Sequence, residues 1–172
     1  MNPPGRPQGE DRSAQHGGCL MNPQTDATTT ARCFCGAVTL RLGAAAKGVI
    51  NCHCGECRRL SGSAFTTWAA FARDRVMIED IAALTAFDVT PNVRRHFCRH
   101  CGSHAYTSDQ RHPALLGVPA GLIEGLAMPR PSGHFFVDHR AAWNDINDAL
   151  PRFGGESGHE PVAPAHSQFS GR

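Results

Sequence analysis

Long apolar runs are missing from this sequence. No stretch approaches the roughly 18 consecutive apolar residues that a membrane-spanning helix requires, and the N-terminus shows no apolar core of the secretory kind. No membrane partner is expected, and a cytoplasmic location is. Lysine is almost absent, Lys47 being the only one, and charge of one sign is lacking too: 17 Lys and Arg stand against 15 Asp and Glu, for a net charge of +2. The arginines are scattered singly or in pairs with acids between them, so no nucleic-acid partner is expected.

Sustained helical periodicity is also scarce. GECRRLSG (55–62) admits one turn or two, and AAWNDINDAL (141–150) admits a helix that Pro151 would limit. Neither would carry a core. Large apolar groups are sparse at both ends, where Pro, Gly, Ser, Gln, Thr and His dominate and cannot repay the entropy of ordering. Residues 1–27 and 155–172 are therefore expected as disordered tails. Residues 28–154 are left as one domain, the count that 172 residues favour.

What that domain contains is short strands. AVTLRL, VINC, FTTWAAF, RVMIE, LTAF, VRRHFC, HAYTS, ALLGVP and HFFVD are rich in Val, Phe, Thr and Ile, and Gly, Pro, Asp and Asn bound them. The expected fold class is all-β.

Cysteine is the residue in excess. Eight of them, in a chain expected to remain where thiols stay reduced, argue for metal ligation over a disulfide framework. Seven lie in three clusters: Cys33 and Cys35 in CFCG, Cys52, Cys54 and Cys57 in CHCGEC, and Cys98 and Cys101 in CRHCG. Cys19 stands alone in the N-terminal tail and reads as an unpaired thiol. Residues two apart in a strand share a face, so each Cys-x-Cys aims two sulfurs at one point while Phe34 and His53 face the other way. A glycine follows a cysteine in every cluster (Gly36, Gly55, Gly102) and permits a backbone that turns peptide N–H groups toward sulfur.

Four thiolates close a structural zinc site, whereas three protein ligands leave one coordination position for water or substrate. Seven cysteines divide as four plus three. The natural partition joins Cys33, Cys35, Cys98 and Cys101 and leaves Cys52, Cys54 and Cys57 as an open site. Spacing does not force this division: crosswise sets, or His53, His100 or another histidine as a fourth ligand, stay open. Cys54-Gly55-Glu56-Cys57 is also a C-x-x-C, but redox use expects a βαβ setting, and metal better explains the extra Cys52. Trp68 and Trp143 are expected in the core, and Ser61 has no spacing that marks a nucleophile.

CFCGAV at Cys33, CHCGECRRLSGSAF from Cys52 to Phe65, and FCRHCGS from Phe97 to Ser103 resemble the glutathione-dependent formaldehyde-activating enzymes, the domain shared with centromere protein V. GLIEG around Glu124 and HFFVDHRAAW ending at Trp143 are similar to that family's more loosely patterned half. The resemblance implies an Mss4-like, zinc-stapled β-tent with two Zn2+ per chain. It places a structural zinc on Cys33, Cys35, Cys98 and Cys101 and a catalytic zinc on Cys52, Cys54 and Cys57. It further implies a carbon–sulfur lyase type of enzyme that adds glutathione reversibly to formaldehyde, giving S-hydroxymethylglutathione; the partners are then a small thiol and an aldehyde. Glu124 departs from the family, which usually carries aspartate after Gly-Thr-Leu where this chain has Gly-Leu-Ile. Arg58 and Arg59 are candidates to receive a glutathione carboxylate. Thiols add to formaldehyde unaided, so the alternative is a zinc-stabilised binding module or glutathione carrier without significant turnover.

Overall fold

The computed structural model describes residues 29–125 and 128–162. In chain order the elements are β1 (Thr29–Arg32), β2 (Thr39–Leu42), β3 (Gly48–Cys52), the helix α1 (Gly55–Ser61), β4 (Thr66–Ala72), β5 (Val76–Glu79), β6 (Leu84–Asp88), β7 (Val93–Cys98), β8 (His104–Asp109), β9 (Leu115–Pro119), β10 (Ile123–Glu124), β11 (His134–Phe135), β12 (Phe153–Gly154) and β13 (Glu160–Pro161). The protein is mostly β with one short helix, as expected. Among the described residues, no helix is long and apolar enough to cross a membrane.

Alternation decides how the strands assemble. Leu40 and Leu42 of β2, Ala69 and Phe71 of β4, and Leu116 and Val118 of β9 are buried at every second position, as period-two side-chain geometry requires. A four-stranded antiparallel sheet, β10-β1-β2-β5, and a seven-stranded sheet, β11-β3-β4-β9-β8-β7-β6, supply these residues to one core. Each fully buried Leu or Phe there stabilises the fold by about 1.5–3 kcal/mol. Cys33 and Cys98 belong to the same core, so the four-cysteine group lies where the two sheets meet. Positions between the inward residues of β4 and β9, such as Trp68 and Gly117, occupy the opposite face of the large sheet, where the second cysteine group lies.

Three expectations are corrected. AAWNDINDAL forms no helix. Its Asp148 carboxylate instead accepts from Leu150 N–H and from His134 Nε2, local bonding by which Asp competes with helical hydrogen bonds. HFFVD is a strand only over His134–Phe135, because Phe136 takes a left-handed φ of +57° and turns the chain. The boundary expected at Gly154 is passed: residues 155–162 include β13, which pairs with β12 through Phe153–Pro161 and Gly154–Glu160. Residues 1–28, with Cys19, and 163–172 lie outside the described residues, so the N-terminal tail and the rest of the C-terminal one fall there.

Candidate functional site

The seven clustered cysteines come together as four and three. Cys33 follows β1, Cys35 lies in the next turn, Cys98 ends β7, and Cys101 completes the knuckle beyond it. Their sulfurs all lie within 4.8 Å of one another, with 3.6 Å between Cys33 and Cys35 and 3.7 Å between Cys35 and Cys98. A tetrahedron of sulfurs each about 2.3 Å from a central zinc has edges of about 3.8 Å. The donor set therefore fits such an ion. Gly36 (φ +79°) and Gly102 (φ +74°) take the left-handed backbone that the two tight turns need, and Val38 N–H donates to Cys33 Sγ at 3.2 Å. Gly55 does not share that conformation. It opens α1, and a Cβ there would press to 3.1 Å of the Arg59 guanidinium.

The second group is built by the strand-to-helix junction. Cys52 ends β3, Cys54 is the N-cap of α1, and Cys57 is the third helical residue. Cys54 Sγ accepts the N–H of Cys57 at 3.4 Å, the bond by which a cap satisfies an orphan donor of the first turn. Neither Cys-x-Cys pair lies within a strand: Cys33 and Cys35 follow β1, and Cys54 lies beyond the end of β3, so the expected strand-face account of their convergence is corrected. All three sulfurs lie within 4.8 Å of one another, and all three residues are buried. Among the described residues this group offers three donors, not four. His100 is exposed and is not among these donors.

His53 faces the other way, fully buried. Its Nε2 lies 2.8 Å from His134 Nδ1, and His134 Nε2 lies 3.0 Å from an Asp148 oxygen. Because a carboxylate only accepts, His134 Nε2–H donates to Asp148, which leaves Nδ1 to accept from His53 Nε2–H. Burial, then the neighbouring His134 and Arg140, hold His53 down at about 4, so it is neutral. The backbone is tied as well: β11 pairs in parallel with β3, and His53 N–H donates to Phe135 O at 2.9 Å.

Cys57 is singled out among the three. Hydrogen bonds from Cys52 and then Cys54 outweigh its burial, and Arg95 adds to them, holding its thiol down at about 2; the reciprocal bonds, to Cys54 and then Cys57, push Cys52 up. Cys57 is thus the thiolate of the trio, while Cys52 and Cys54 are held toward the protonated form. Trp68 Nε1–H and Arg95 Nη2–H donate to Cys57 Sγ at 3.4 and 3.5 Å, while the Arg95 guanidinium lies 4.8 Å over the Trp68 ring.

These sulfurs form part of the wall of a cleft of about 840 Å³, a size typical of small-molecule sites. Arg58 and Arg59, the sequence candidates, line it, as do Glu56, Trp68, Arg95, Arg111, Phe136 and His139. Glu56 Oε2 stands 3.3 Å from Cys54 Sγ. Trp68, expected in the core, is thus a cleft residue, and Trp143 is exposed. Sequence reasoning missed Arg95 altogether. Strand alternation puts Arg94 and Arg95 on opposite faces of β7, but nothing in VRRHFC says which face is covered. Glu124, which marks a departure from the resembled family, lies in β10 on the far sheet and is not among the cleft residues.

The sequence model of the glutathione-dependent formaldehyde-activating enzymes matches residues 28–139, a stretch that contains both cysteine groups. A crystal structure of a Rhodobacter sphaeroides protein is similar to this chain at 24% identity, covering 56% of this chain and 89% of that one, with a TM-score of 0.48.

Proposed function

Because the chain belongs to the glutathione-dependent formaldehyde-activating enzyme family, we propose that the cleft beside Cys52, Cys54 and Cys57 promotes the reversible addition of glutathione, or a similar small thiol, to formaldehyde. The activity is of the carbon–sulfur lyase type. Two Zn2+ ions per chain go with it, a structural one held by Cys33, Cys35, Cys98 and Cys101 and a second held by Cys52, Cys54 and Cys57. The observation that carries this reading is the three-donor group at a cleft lined by arginines.

A zinc ion held by Cys52, Cys54 and Cys57 would supply a soft, electron-rich centre suited to an incoming thiolate. The remaining work falls to the chain. Arg58 and Arg59 receive the carboxylates of glutathione and so set the direction of its thiol. Trp68 and Phe136 provide apolar wall that limits water around the reacting carbon. Glu56, the carboxylate beside Cys54, is placed to take the proton from the thiol and return it to oxygen. The balance is simple: an S–H bond breaks, an S–C bond forms, the carbonyl π pair becomes the new O–H bond, and nothing is oxidised or reduced.

Calorimetry with zinc-loaded protein tests the reading. Glutathione binding is expected at one site per chain and is lost in Cys57→Ser while the fold survives. Exchange between free glutathione and S-hydroxymethylglutathione, followed by NMR with labelled formaldehyde, is expected to run faster with the protein than without it. Binding without faster exchange would make the protein a carrier; neither would remove the reading.

A further inference from the structure

Arg95 is 6% exposed, in the middle of β7, and belongs to no ion pair among the described residues. A buried cation without an anion is costly. Its side chain makes one hydrogen bond, to Cys57 Sγ, and its Nε and Nη1 have no partner. The Trp68 ring beneath the guanidinium supplies a cation–π contact but no charge. The anion that this arginine lacks is a few ångströms away in sulfur chemistry: three thiolates around a divalent ion carry a net −1.

We propose that Arg95 is the fixed counter-charge and positioning residue of the three-cysteine centre. Its charge brings the loaded centre to neutrality, and its Nη2–H, with Trp68 Nε1–H, fixes the Cys57 sulfur in place. When a fourth, anionic sulfur enters, the assembly holds −1 in place of −2, so Arg95 favours a thiolate there over a neutral ligand. This rests on the reading of Cys52, Cys54 and Cys57 as a metal site. It assigns a role to a residue that neither the cysteine pattern nor the cleft arginines near α1 identify.

The test measures metal affinity, not activity. Zinc-loaded wild type, Arg95→Met and Arg95→Lys are titrated with a chromophoric chelator, following each of the two zinc equivalents. Partners beyond the ligands typically change metal affinity by about 10- to 100-fold. Arg95→Met is expected to weaken the second equivalent at least tenfold, to spare the first, and to shift the thiolate-to-metal absorption of the cobalt-loaded protein; Arg95→Lys restores most of both. A folded Arg95→Met with wild-type affinity for both equivalents overturns the proposal. Should Arg95→Met fail to fold, wild-type protein loaded with 113Cd and labelled with 15N still decides. Couplings from the Arg95 side-chain N–H and the Trp68 indole N–H to the cadmium bound by Cys57 are expected, and their absence overturns it. Wild type that binds one zinc sinks both this proposal and the functional reading. Two zincs without glutathione binding sink only the latter.

Discussion

Trp68 reaches Cys57 because Gly117, beside it on β9, has no side chain: a Cβ there would lie 3.3 Å from Trp68 Cε3. The ring uses that space, and its Nε1–H meets the sulfur. Gly117→Val is expected to push the indole away and break the bond, a loss of about 1 kcal/mol, or about fivefold in thiol affinity. Calorimetry with glutathione, paired with the tryptophan emission spectrum, checks it. Unchanged emission and affinity would mean that the ring tolerates displacement.

The two cysteine groups differ in what they hold together. Cys98 is 1% exposed at the junction of the sheets, so Cys98→Ser is expected to cost more than about 4 kcal/mol, the range reserved for loss of a metal or a buried network. Cys57→Ser is expected to cost far less and to remove one zinc equivalent with thiol binding. Unfolding curves and zinc content measure both, and equal destabilisation would make both groups structural.

Burial, and then the charge of Arg95, holds His104 down at about 4, against 6.5 when unfolded. The unfolded chain therefore binds the extra proton first, and stability rises with pH between those values. The contribution is complete above about 6.5 and disappears as pH falls toward about 4. His104→Gln is expected to flatten this part of the pH–stability curve, measured by denaturant unfolding at a series of pH values. An unchanged slope would assign the acid sensitivity in this range to other groups, among them His53 and His96, which burial also holds down.

The Asp148 carboxylate is half exposed, but the His134 ring that it meets is buried. Asp148→Ala leaves that ring nitrogen without its acceptor, although water can partly replace it, and is expected to cost about 1 kcal/mol. Faster amide exchange at His53 would accompany the loss, since the same segment holds that N–H. Thermal unfolding and hydrogen exchange measure the two effects.

Arg58→Ala with Arg59→Ala is expected to weaken glutathione binding about fivefold, with the difference shrinking at high salt, as for charges near a surface. A glutathione ester lacking one carboxylate should lose less. If the ester and the acid lose equally, these arginines do not read carboxylates.

The three cysteine clusters were legible because ligand spacing within each is local; spacing left their division open, and the fold joins Cys33 and Cys35 with Cys98 and Cys101. Strand positions were legible for the same reason: alternation such as that of β2 and β9 records a half-buried sheet. Residues around the sulfurs were less so. Arg95 and Trp68 acquire their roles from strands far apart in sequence, and a strand pattern says that neighbours face opposite ways without saying what covers each face. The AAWNDINDAL reading erred because Asp148 spends its carboxylate on His134, a partner that only the folded chain supplies.

The parallel pairing of β11 with β3 has a consequence for biosynthesis. A ribosome releases Cys52, Cys54 and Cys57 before Arg95, and well before the segment around Phe135 that seals their backbone. During that interval the three thiols lack the backbone bond from His53 to Phe135 and the Phe136 ring that packs against them. The surroundings of these sulfurs are therefore completed late, when β11 is made and pairs with β3 and Phe136 packs against the three cysteines.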